Sequence, residues 1–338
     1  MDSQWRFVRH PSATAKQQLR ASNKIASRIE LVPPVRSYVV VVSGVCAVDL
    51  KFPRLRVART RKMDVDDSQL QLYFDTVLEL TRNAGKIVRE HHNKGKKVTI
   101  KSCDVDLVTE TDQQVEKLLV TSLLTKFPGH KYIGEEAVAD GKPCELTDEP
   151  TWIIDPVDGT MNFVHGYPNF CISVALWIKK KPSIGIIYNP ILELMFTAQT
   201  GKGAFLNGNR ISTSSVKDLE KGLLAMEFGT SRDPEKMAVV MENTQILLPL
   251  LHGIRSSGSA ALNMAMVAMG GADCYFEFGI HVWDIAAGVP LIQEAGGFVS
   301  DPAGGELDPL SRRVLVASNE EFAKKIIPHL KQHYPERD

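Results

Sequence analysis

A run of strict alternation at the centre of the chain rules out the simplest α/β arrangements. Residues 172–178 alternate in strand fashion, Lys179-Lys180-Lys181-Pro182 supplies a turn, and residues 184–188 return. That pattern predicts an antiparallel hairpin. Asn189-Pro190, Gly201-Lys202-Gly203 and Asn207-Gly208 then punctuate further short strands. Helices precede this sheet. Asp66, Asp67 and Ser68 can cap one whose apolar face is Leu70, Phe74, Val77, Leu78, Ala84, Ile87 and Val88. His91 and His92 are read as its solvated end. Thr111-Asp112-Gln113-Gln114 has capping-box form and opens a second helix on Val115, Leu118, Leu119 and Leu123, which Phe127-Pro128 stops. Beyond residue 216 helices (260–269, 284–294, 319–333) mix with strands at 275–276, 298–299 and 314–317. The result is a mixed α/β body of about 275 residues with much antiparallel sheet, not the β-α alternation of a dinucleotide-binding fold.

The 338 residues suffice for two ordinary domains or one large layered α/β domain, and 43% hydrophobic content supports a sizeable core. A net charge of zero gives no global argument for nucleic acid or membrane as partner. That zero hides an asymmetry, because residues 1–62 hold 13 Lys and Arg against 3 acids while the rest holds 27 against 37. Residues 1–62 are therefore read as a basic, disordered N-terminal extension and residues 63–338 as the folded domain, for which Met63 is a plausible natural start. The uncharged run at 37–48 is shorter than the ~20 residues a bilayer requires. Arg and Ser with few acids make a mitochondrial leader the minor alternative to a cytoplasmic protein. The five cysteines (Cys46, Cys103, Cys144, Cys171, Cys274) are odd in number and unpaired in spacing, and read as free thiols. Cys171 is read as a packed small hydrophobe, and His165 and His281 as loop or rim residues.

The chemistry concentrates at Trp152-Ile153-Ile154-Asp155-Pro156-Val157-Asp158-Gly159-Thr160. A buried strand ends in Asp155, and Asp158 follows across a Pro-containing turn. Two carboxylates and the Val157 carbonyl can then face one point, the all-oxygen surroundings that a hard cation such as Mg²⁺ requires. Thr160 opens a helix whose free N–H groups can seat a phosphate. Alone, two aspartates in a turn are ordinarily turn formers. Gly134-Glu135-Glu136 after a short strand, and Trp283-Asp284 beginning a helix, add weight, because surface acids do not ordinarily sit beside Trp and Ile at strand ends.

Taken in order, Gly134-Glu135-Glu136, Asp155-Pro156-Val157-Asp158-Gly159-Thr160 and Trp283-Asp284-Ile285-Ala286-Ala287-Gly288 with Glu294-Ala295-Gly296-Gly297 resemble the inositol monophosphatases. The resemblance runs from about Asp66 to the end of the chain. It implies an αβαβα five-layered sandwich, usually a homodimer, and a magnesium-dependent, lithium-sensitive phosphatase with two or three Mg²⁺ per subunit. It implies Glu135, Asp155 and the Val157 carbonyl as ligands of one Mg²⁺, and Asp155, Asp158 and Asp284 as ligands of a second. Metal-activated water would hydrolyse the ester, positioned by Glu135 and by Thr160, which Asp112 orients. Phosphate would meet Gly159 and Thr160; the substrate ring would meet Gly258-Ser259-Ala260, Glu277 and Asp284. Gly258-Ser259-Ala260 is equally a helix cap, and Glu136 reads better as a neighbouring acid than as a ligand. Lys101 matches a family lysine, and Met161 departs from the small residue often found there. The implied reaction is hydrolysis of myo-inositol monophosphate, which supplies inositol to phosphatidylinositol signalling. The alternative is a related enzyme acting on another small sugar or nucleotide phosphate.

Overall fold

A computed structural model describes residues 65–94, 98–100 and 107–338. The basic arm, Met63, Lys101, Cys46 and Cys103 lie outside the described residues. Helix α1 (Asp67–Lys94) is followed by a two-stranded antiparallel ribbon, β1 (Val98–Ile100) and β2 (Leu107–Thr109). Then come α2 (Glu110–Lys126), β3 (Lys131–Gly134), α3 (Glu135–Ala139), β4 (Thr151–Asp158) and α4 (Thr160–His165). An antiparallel run follows: β5 (Cys171–Ile178), β6 (Lys181–Asn189), β7 (Leu194–Gln199), β8 (Gly203–Leu206) and β9 (Asn209–Ile211). The last third holds β10 (Leu223–Met226), α5 (Pro234–Leu247), β11 (Gly253–Arg255), α6 (Ala260–Ala268) and β12 (Cys274–Phe278). It closes with α7 (Val282–Ile285), α8 (Gly288–Glu294), β13 (Phe298–Ser300), β14 (Arg313–Ala317) and α9 (Glu320–Ile326).

Strands β3 to β9 form one seven-stranded sheet in chain order, antiparallel except for the parallel β3–β4 pair. A five-stranded sheet has the order β11-β10-β12-β14-β13. The predicted hairpin is present, though its turn is only Lys179 and Lys180, both at positive φ, and Lys181-Pro182 already belong to β6. Alternation within β5 has a double meaning. Ile172, Val174 and Leu176 enter a core shared with α1 and α2, while Cys171, Ala175 and Trp177 enter a second core with α6 and α8. A sheet covered on both faces buries both phases of its strands, and all eight β5 residues are buried. Helices α6 and α8 thus lie between the two sheets, and α5 and α9 cover the far face of the smaller one through Val240, Leu247, Phe322 and Ile326. These are the five layers of the expected sandwich.

Four expectations need correction. The capping box of α2 is Thr109 with Asp112, not Thr111 with Gln114, so the helix starts earlier. His92 is half-buried, its ring 5.5 Å from that of Phe170, because the end of α1 packs on α4 instead of entering solvent. The helix expected over 319–333 stops at Ile326, with a 3₁₀ turn over Ile327–His329 that contains Pro328, which cannot supply the next helical hydrogen bond. The helix expected over 284–294 is likewise two pieces, α7 and α8.

Candidate active site

Asp155 and Asp158 are three apart, so an unbroken strand would point them to opposite faces. Strand β4 is irregular there. Asp155 pairs with Ser173 and Asp158 with Cys171, so three steps along β4 match two along β5. This bulge, at Pro156 and Val157, turns both carboxylates to one side. Asp284 joins them from α7, and the carboxylate oxygens of the three lie within 4.8 Å of one another. Asp155 and Asp158 are buried and Asp284 half-buried.

Each acid is held by its surroundings. The Asp158 carboxylate lies at the start of α6, where it accepts from the Ala261 N–H at 2.8 Å, the Ala260 N–H at 3.3 Å and the Ser259 hydroxyl. Ser259 is also the N-cap of α6, as the cap reading expected. The Cys171 thiol donates to the same carboxylate at 3.6 Å, a contact that its reading as a packed hydrophobe missed. Asp284 Oδ2 accepts from the His281 N–H at 2.6 Å within a capping box. His281 stacks on Trp283, and its Nδ1 meets the Asp338 carboxylate, which also accepts from the Val282 N–H at 3.0 Å. Glu135 begins α3 and shares a hydrogen bond with Asp155.

So many acids in one buried place repel one another. Burial pushes the Asp155 carboxyl well above the usual carboxylate range, and Glu135, Asp158 and Asp284 push it further. Burial raises Asp158 to about 6, against the opposing pull of the Ser259, Ala261 and Ala260 donors. Asp284 rises through burial and the charge of Asp158. An unrelieved cluster of this kind costs stability, and a divalent cation is its natural complement.

The neighbouring residues meet in one cleft of about 810 Å³. Glu135, Asp155, Val157, Asp158, Gly159, Thr160, Gly258, Ser259, Ala260, Glu277 and Asp284 all line it, with Glu136, Met161 and His281. His165 is exposed and does not line it. Gly159, at φ +93°, caps α4, and a Cβ there would stand 2.9 Å from the Gly258 carbonyl oxygen. Asp112 is fully buried behind the cleft, where its Oδ2 accepts from the Thr109 N–H and its Oδ1 from the Thr160 hydroxyl at 3.5 Å. The same hydroxyl is 3.0 Å from the Val157 carbonyl oxygen.

Two buried carboxylates that hold cleft-lining segments escaped the sequence reading. Glu116 accepts from the Glu136 and Ala137 N–H groups and so fixes the start of α3. Glu227 accepts from the Ser257 and Gly258 N–H groups, Ser256 and Asn263, and so holds the loop before α6. Glu116 leaves one trace in sequence: Gly134, where a Cβ would stand 2.6 Å from its carboxylate oxygen.

Comparison with known proteins agrees with this geometry. Residues 69–334 match the model of the inositol monophosphatase family. Inositol monophosphatase 1 of Bos taurus is 47% identical over 253 residues, 75% of this chain and 91% of that protein. The Homo sapiens inositol monophosphatase 1 is 46% identical over 265 residues, 78% and 96% of the two chains. Among solved structures, the inositol monophosphatase of Anabaena superposes with a TM-score of 0.67 at 32% identity, over 77% of this chain and 95% of that one. An acid cluster built across two sheets, in a chain matched at this identity over nearly the whole length of its relatives, admits one assignment: this protein is a phosphatase of the inositol monophosphatase family.

Proposed function

We propose that the chain hydrolyses myo-inositol monophosphate to myo-inositol and phosphate, and that the cleft is where it does so. The observation that carries this reading is the convergence of Asp155, Asp158 and Asp284, with Glu135 beside them, in a cleft also lined by Glu277. The donor set fits Mg²⁺: carboxylate oxygens with the Val157 carbonyl nearby, and no sulfur or imidazole among the three clustered acids. Two or three Mg²⁺ per subunit would be held by Glu135, Asp155, the Val157 carbonyl, Asp158 and Asp284. When bound, they would neutralise the phosphate dianion and lower the pKa of water.

The chain's own residues supply the rest. Asp112 anchors Thr160, the Thr160 hydroxyl and the Glu135 carboxylate orient the attacking water, and Glu135 takes up its proton. The new P–O bond forms as the ester P–O bond breaks, and the departing inositol oxygen takes a proton from solvent water. The Gly159 and Thr160 N–H groups meet the phosphate. Gly258, Ser259, Ala260 and Glu277 face the ring, where a buried acceptor suits a polyol because an unpaired hydroxyl costs about 1–3 kcal/mol. Among the described residues no helix is long and apolar enough to cross a membrane. Lithium sensitivity, homodimerisation, a cytoplasmic location and a role in phosphatidylinositol signalling belong to the same proposal, as does the division into an extension (1–62) and an enzymatic domain (63–338).

The test is phosphate release from myo-inositol 1-phosphate by the full chain, with Mg²⁺, with EDTA, and with Mg²⁺ plus lithium. Release that needs Mg²⁺, falls with lithium and disappears in Asp155→Asn is the expected result. No release from folded, Mg²⁺-loaded protein sinks the inositol assignment.

A further inference from the structure

Helix α5 carries a lysine in an unusual place. Asp233 caps the helix, and Lys236, whose N–H donates to it at 2.8 Å, extends inward and is only 1% exposed. Among the described residues its Nζ has no hydrogen-bond partner. Lysine is rarely buried, and an unpaired ammonium in the interior is costly. Its surroundings indicate a purpose. A Cβ at Gly229 would stand 2.4 Å from Nζ and 3.2 Å from Glu277 Oε1. A Cβ at Gly279 would stand 3.1 Å from Nζ. Two glycines at positive φ therefore let ammonium and carboxylate approach the same short stretch of backbone, and Gly229, Gly279 and Glu277 all line the cleft.

The charges facing the pair are mostly unhelpful to Glu277. Burial raises its carboxyl to about 8; the Tyr275 hydroxyl, donating to Oε2, pulls it back, Glu227 and Asp158 push it up, and Lys236 opposes them. Burial lowers Lys236, Glu277 and Asp233 restore it, and Arg312 and Arg232 lower it again. Lys236 thus opposes Glu277 among mixed charges, with Glu227 and Asp158 on the acidic side and Arg312 and Arg232 on the basic side. We propose that Lys236 is a positioning residue for polyol recognition, the buried counter-charge that holds the Glu277 side chain in place as the acceptor for a ring hydroxyl. The inference rests on the inositol reading above and assigns substrate selectivity to a side chain that touches neither metal nor phosphate.

The experiment is a double-mutant cycle on the full chain with saturating Mg²⁺: wild type, Lys236→Met, Glu277→Gln and the pair. Met replaces the ammonium with an apolar side chain of similar length, and the melting temperatures below report any cost to the fold. KM for myo-inositol 1-phosphate is expected to rise about tenfold in Lys236→Met, the loss of a correctly placed acceptor, with a much smaller change in kcat. Phenyl phosphate has no ring hydroxyl, so selectivity between the two substrates, as the ratio of kcat/KM, falls by a similar factor. In the Glu277→Gln background Lys236→Met should add nothing further, because coupled residues are non-additive. Equal losses on both substrates, or additive effects, would show a structural role and overturn the proposal. Melting temperatures of the four proteins read the pair without any substrate, and additive shifts there overturn it too. Wild type that cleaves phenyl phosphate but not inositol 1-phosphate refutes the inositol reading, and non-additive melts would then still report the Lys236–Glu277 coupling.

Discussion

Replacing Ser259 with alanine tests how the cleft's acids are held. The hydroxyl does two things: it caps α6, accepting from the Leu262 N–H at 3.2 Å, and it donates to Asp158. Losing an N-cap serine costs about 1 kcal/mol. Losing a hydrogen bond to a buried carboxylate costs roughly 1.5–3 kcal/mol more. Together they make about 3 kcal/mol, a fall in Tm of roughly 6–12 °C for a body of this size. The sharper signature is in pH. Asp158 sits at about 6 because its donors offset part of the burial cost, and Ser259 is first among them. Without it the carboxyl rises further, and protons compete with Mg²⁺ more strongly below that value. Half-saturating Mg²⁺, read from thermal stabilisation, should therefore increase clearly at about pH 6 and little at about pH 8, where the group is ionised in both proteins. An equal displacement at both pH values, or an unchanged Tm, would refute the account of Asp158.

Two further outcomes follow from packing and charge. Gly185 on β6 faces α8 so closely that a Cβ would stand 2.2 Å from the Ala287 carbonyl oxygen and 2.8 Å from Pro290 Cγ. Gly185→Ala should cost about 3 kcal/mol by overpacking and lower Mg²⁺ affinity through Asp284 nearby, both measurable by melting with and without Mg²⁺. The acids whose pKa rises on folding, Asp158 and Glu277, bind more protons in the native state than in the unfolded one. Metal-free protein should accordingly lose stability as pH climbs from about 4 towards 8, the reverse of a salt-bridged carboxylate, and Mg²⁺ should restore more at the upper end. A melting temperature that rises over this window without metal would contradict the burial argument.

The sequence was legible where residue type and position carry the same message. Alternation in β5 and β6 and the three acidic motifs placed their elements correctly, and the turn expected at 179–182 was only two residues too long, because each rests on local geometry. What was not legible rests on distant partners. The α2 box was misplaced by two residues because Asp112 serves as both cap partner and neighbour of Thr160, so a second Thr nearby gave an equally good local fit. His92 looked solvated because its cover, Phe163 and Phe170, lies far along the chain. Glu116, Glu227 and Lys236 drew no reading from the sequence, and only the fold shows them buried. None has a spacing that announces burial, and the glycines pressed against Glu116 and Lys236 (Gly134, Gly229 and Gly279) are the mark left in sequence.

The acid cluster draws Asp155 and Asp158 from the larger sheet and Asp284 from the helix that follows the central strand of the smaller one. A backbone cut between β9 and β10 would leave two aspartates on one fragment and the third on the other. Neither fragment could hold a cation as the intact chain would, and divalent metal would become the adhesive that rejoins them. Chimeras between relatives that swap only one half inherit the same constraint: the carboxylates have to be exchanged as a matched set or the seam between the sheets loses its staple.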